Sequence, residues 1–64
     1  MTREEISKKV QDLALQIREL GNTCNEQHYE ETDSRLRATL YLLSQSLLRE
    51  SFMMDSFNIY IEYD

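Results

Sequence analysis

The sequence predicts an all-α fold: a two-helix antiparallel hairpin that self-associates into a bundle. A short C-terminal β-strand competes there with a helical extension or a disordered tail. Three observations carry this reading. The chain has no proline and one glycine among 41% hydrophobic and 30% charged residues, so it has few places to turn, which favours one or two long helices over a sheet. Its apolar residues recur at helical spacing over most of its length. Finally, a 64-residue chain buries only about 60% of the surface its unfolded form exposes. One cysteine and one histidine exclude an internal disulfide and a zinc quartet, so a partner chain is left to complete the core.

Thr2 followed three residues later by Glu5 is a capping-box pattern, in which each side chain serves a backbone N–H at the other position. Behind it Ile6, Val10, Leu13, Ile17 and Leu20 recur at alternating spacings of four and three, one apolar face of a helix. Gly21 and Asn22 follow as a stop signal, so helix one is expected over 3–20. The next boundary has two solutions. Thr23 and Glu26 form a second capping-box pattern, whereas Thr32-Asp33-Ser34 offers a later N-cap that leaves 22–31 as a polar loop. Leu36, Leu40, Leu43, Leu47 and Met54 then keep the rhythm, with Glu50 as a polar interruption. Helix two is placed over about 24–54, and the later cap confines it to 33–53.

The tail, residues 55–64, changes period. Phe57, Ile59, Ile61 and Tyr63 alternate with Asn58, Tyr60 and Glu62, and period two with aromatic and β-branched residues reads as a strand. Such a strand needs an edge to pair with, from a second copy or another protein. Leu42, Leu48 and Phe52 of helix two and Leu15 of helix one lie outside the stripe that a single neighbour covers, and they are the expected oligomer interface.

Little in the chain points to catalysis. Cys24 and His28 lie four residues apart, on one helical face, but supply at most half a zinc site and lack an orienting group for a thiolate nucleophile. An exposed histidine and an incidental cysteine are the plainer reading. No metal site, cofactor or catalytic residue is assigned. Glu26, Glu30, Glu31 and Asp33 form an acidic stretch without calcium-loop spacing, and it reads as a solvated face. Asp33 and Arg37, at i and i+4, are spaced for an ion pair. A net charge of −5 without Lys/Arg blocks argues against duplex nucleic acid as a partner. No apolar run reaches the roughly 18–20 residues that span a bilayer. No signal-peptide core follows Met1, so a cytoplasmic protein with a reduced thiol is expected.

Leu13-Ala14, Ile17, Glu19 and Cys24 are followed by Ser34-Arg35-Leu36 and then by an apolar helix ending Ser46-Leu47-Leu48-Arg49. This order resembles the helical-hairpin family of phage signalling-nucleotide sponges, which counter the CBASS and Thoeris defences of bacteria. The similarity covers roughly residues 10–50. Asn25 stands where the family carries a proline, and an acidic link replaces its basic one. The resemblance implies a non-enzymatic homo-oligomer in the host cytoplasm that sequesters cyclic di- or trinucleotides, or cyclic ADP-ribose-type signals, between subunits. By position Arg49 matches the family's arginine and Ser34-Arg35 its Thr-Lys pair. The resemblance thus makes Arg35 or Arg49 a phosphate ligand, Ser34 a hydrogen-bond donor to it and Tyr41 a stacking surface for a base. The competing reading is a small acidic inhibitor or regulator that masks a protein target through its helical surface or its C-terminal strand.

Overall fold

In a computed structural model, which describes residues 1–63, the chain is a hairpin of two helices, α1 (Arg3–Glu30) and α2 (Ser34–Tyr63). The all-α hairpin expected from the spacing is what forms, as a rod measuring 47 × 14 × 14 Å. The Thr2 hydroxyl opens α1 by accepting the Glu5 N–H at 3.1 Å and donates in turn to the Glu5 carboxylate. Glu4 and Glu5 in the first turn also suit the positive end of the helix dipole.

Both helices run further than the sequence signals suggest. The stop expected at Gly21 is a buried position inside α1, and residues 22–30 are helical rather than a loop. The turn consists of residues 31–33, and carboxylates build it. Glu31 accepts the N–H groups of Thr32 and Asp33, each at 3.0 Å, and Asp33 accepts that of Leu36 at 3.0 Å. The later of the two caps is therefore the one used. α2 then continues through Tyr63, so among the described residues the tail is helix and not strand; Asp64, the last residue of the expected tail, lies outside them. The alternation at 57, 59 and 61 gives way to a helical register in which Met54, Asn58 and Ile61 face α1 and are half-buried or buried. A neighbouring helix offers that register a surface to cover, whereas a lone strand has no ladder partner.

The seam between the helices is made of small residues. Ser7, Ala14 and Gly21 on α1, and Ser44, Ser51 and Asn58 on α2, recur at every seventh position and are buried, together with Cys24. A Cβ placed on Gly21 would lie 3.1 Å from Leu48 Cδ2 and 3.2 Å from Leu47 Cβ. The glycine thus admits the second backbone at a distance other residues would prevent. This contact sets the register: Gly21 is level with Leu47, and stepping one heptad each way brings Ala14 level with Met54 and Ser7 with Ile61. The row offset by three, with Val10 and Ile17 on α1 and Leu40, Leu47 and Met54 on α2, is half-buried and completes the seam. Burying serines costs little here, because the Ser44 and Ser51 hydroxyls donate to the carbonyls of Tyr41 and Leu48 at 2.7 and 2.8 Å.

The expected apolar face of α1 is therefore only partly the buried one. Val10 and Ile17 enter the seam, while Ile6, Leu13 and Leu20 stand one position to the side and remain 38%, 49% and 53% exposed. Gly21→Leu tests the close approach. Leucine is the better helix former by about 0.8 kcal/mol, yet overpacking the seam should lower stability by about 1–3 kcal/mol, read from the urea midpoint.

Candidate binding surfaces

The first candidate lies at the turn end. The last turns of α1 and the first turns of α2 enclose a shallow groove of about 350 Å³ lined by His28, Ser34, Arg37, Ala38 and Tyr41. The His28 ring stands edge-on to Tyr41, with centroids 5.3 Å apart, and tilted against Tyr29 at 4.0 Å. Its Nδ1 is hydrogen-bonded to the Asn25 carbonyl. A carbonyl only accepts, so Nδ1 carries the proton, and in the neutral ring Nε2 is left as an acceptor. Two of the four residues nominated as ligand-binding, Ser34 and Tyr41, meet in this groove. Arg35 and Arg49 do not. They lie fourteen positions apart on the outer face of α2, about 21 Å along the axis, too far apart to hold one phosphate within a subunit. Arg37, not Arg35, is the guanidinium lining the groove. At the start of α2 the Asp33 carboxylate already accepts the Leu36 N–H, and Glu31 takes those of Thr32 and Asp33 in the turn before it, so carboxylates front this helix end.

A second polar surface follows one side of the seam toward the open end. Arg18 pairs with Asp55, donates from Nε to Ser51 Oγ at 3.4 Å and lies 5.3 Å from the Phe52 ring centroid. Asp55 is thus engaged from α1. The pair is partly exposed, at 34% and 47%, so solvent screening leaves it well under 1 kcal/mol. Farther from the turn, Glu62 accepts from Ser7 at 3.2 Å, from Gln11 and, at 3.4 Å, from Asn58. The broad groove beside this knot, about 890 Å³, carries both signs of charge, with Arg3 and Lys8 among Glu4, Asp12 and Glu62. Asn58 is 4% exposed, and among the described residues its carbonyl oxygen has no partner.

The nominated interface residues divide. Leu15, Leu42 and Phe52 are 53%, 64% and 63% exposed, whereas Leu48 lies against Gly21 within the hairpin. Cys24 is buried in the seam, and among the described residues no group of three or more His, Cys, Asp or Glu side chains is placed to hold a metal ion. Among the same residues no helix is long and apolar enough to cross a membrane. Sequence reasoning passed over Arg18 and the small-residue rows. The signal for both was present, since Ser7, Ala14 and Gly21 repeat at seven and Arg18 follows Ala14 by four. No family model matches the chain, and no curated protein and no solved structure is significantly similar to it.

Asn58 yields a test. A buried carbonyl oxygen without a partner costs about 1–3 kcal/mol, and alanine is the better helix former. Asn58→Ala should therefore raise stability by roughly 0.5–1 kcal/mol net of the lost contact to Glu62, measured as a higher urea midpoint at unchanged slope.

Proposed function

We propose that this chain acts by binding, as an oligomer of helical hairpins, and catalyses no reaction. One observation carries the proposal: among the described residues the buried apolar side chains are Ala14 and Cys24, while fifteen large hydrophobic residues are exposed. Side chains of that kind stabilise a fold only when something covers them. A two-helix chain of this size gains that cover by association.

For the ligand, the turn-end groove favours the sequestration of a cyclic oligonucleotide. Tyr41 and His28 offer ring surfaces to a base, Arg37 a planar fork to a phosphate, and Ser34 a hydroxyl donor. In this reading Arg37 takes the role that resemblance gave to Arg35, and Arg49 reaches a ligand only from another subunit. The second reading, an acidic regulator of a protein target, is favoured by the carboxylates gathered at the hairpin tip. It rests on the helical surface alone, because the C-terminal segment is helix.

Calorimetric titration with cyclic di- and trinucleotides separates the two. Saturable binding that Arg37→Ala weakens by at least about tenfold, as loss of a charge-assisted hydrogen bond implies, is the outcome expected of a sponge. Heats that do not differ from dilution across the panel would reject it in favour of the protein-binding reading.

A further inference from the structure

We propose that a second copy of the chain docks on one particular side of the hairpin, the side carrying Ile6, Leu13 and Leu20 of α1 and Leu36, Leu43 and Phe57 of α2. The product is a four-helix bundle. This rests on the oligomeric reading above and names the face that reading left open.

The two sides of the seam differ in chemistry. Because the helices run antiparallel, the flank that follows the buried rows by four positions on α1 faces the equivalent flank on α2. The Gln11–Glu62 hydrogen bond and the Arg18–Asp55 ion pair show these flanks meeting. The flanks one position before the buried rows therefore share the opposite side. On α1 that flank reads Ile6, Leu13, Leu20, and on α2 Leu36, Leu43, Glu50, Phe57. All six apolar members are exposed, from 38% at Ile6 to 62% at Phe57. One side of the hairpin is bridged by its own polar contacts, with Leu48 and the exposed Tyr41 and Phe52 interspersed; the other presents two parallel apolar rows.

Area and shape select the occupant. The chain exposes 5092 Å², against about 4,300 Å² for a compact protein of its mass. The surplus of roughly 790 Å² is close to the ~800 Å² that each partner contributes to a stable interface. The row on α2 runs from Leu36 to Phe57, about 31 Å along the axis, most of the 47 Å length of the rod. A second hairpin presents two rows of the same length and spacing, and packing of that kind closes the core of a four-helix bundle. Glu50 is the one charged residue in these rows, and a carboxylate brought into an apolar interface without a partner opposes association.

Sedimentation of the full chain over the micromolar range tests the assignment through three variants. The wild type should form dimers. Leu43→Glu should weaken dimerisation by more than about a hundredfold, Glu50→Leu should strengthen it by at least about tenfold, and Leu42→Glu, on the outer face, should leave it within about threefold. Dimers that survive Leu43→Glu but dissociate with Leu42→Glu would overturn the choice of face while sparing association. A wild-type chain monomeric throughout would overturn both. Should Leu43→Glu fail to fold, Glu50→Leu decides, because it adds apolar surface at an exposed position, and an unchanged dissociation constant would reject the face.

Discussion

The rest of the structure depends on how closely the two helices approach. Ser7, Ala14 and Gly21 on one side, and Ser44, Ser51 and Asn58 on the other, let the backbones draw together until a Cβ on Gly21 would touch both Leu47 and Leu48. A seam of that kind is well packed but has little apolar area to bury. Stabilisation scales with apolar surface removed from water, at roughly 25 cal/mol per Å², so close approach exchanges area for fit. The larger side chains that would form the core of a wider pair are displaced to its flanks, and the hairpin keeps most of its hydrophobic residues on the outside.

The helical class and the hairpin were legible in composition and spacing. Thr2 and Glu5 mark the start of α1, and Leu40, Leu47 and Met54 lie in the seam as their rhythm implies. The buried face of α1 was not legible from apolar residues alone, because counting them favours Ile6, Leu13 and Leu20 over the small residues beside them. Gly21 misled for a related reason. Glycine disfavours a helix by about 1 kcal/mol locally, and only a second backbone lying against it makes its missing side chain an advantage. At the C-terminus, buried Asn58 stands where an apolar residue would have revealed the helical period, so the alternation of its neighbours dominated.

The candidate site was legible in part. Ser34 and Tyr41 converge because both lie within the first turns of α2, on the side turned toward the end of α1. His28 and Arg37 join them only once the turn has its actual position, three residues long after Glu30. A linear reading placed the turn elsewhere and so could not bring these four together. Arg35 and Arg49 share the outer face because they differ by two heptads, which keeps them in line along α2 and apart in space.

The three-residue turn also orders the events of folding. Residues nearest it are joined by the shortest loops, and loop closure costs more entropy as the intervening chain lengthens. Cys24 and Ser44 can meet early, whereas Ser7 and Glu62, joined in the hairpin by a hydrogen bond, are separated by nearly the whole chain. The hairpin thus closes as a zipper from the carboxylate-capped turn outward, a local route of the kind associated with fast folding. Opening runs the other way, starting at the end of the hairpin farthest from the turn. The part farthest from the turn, with its knot of Ser7, Gln11, Asn58 and Glu62, is the last to form and the first to exchange with solvent.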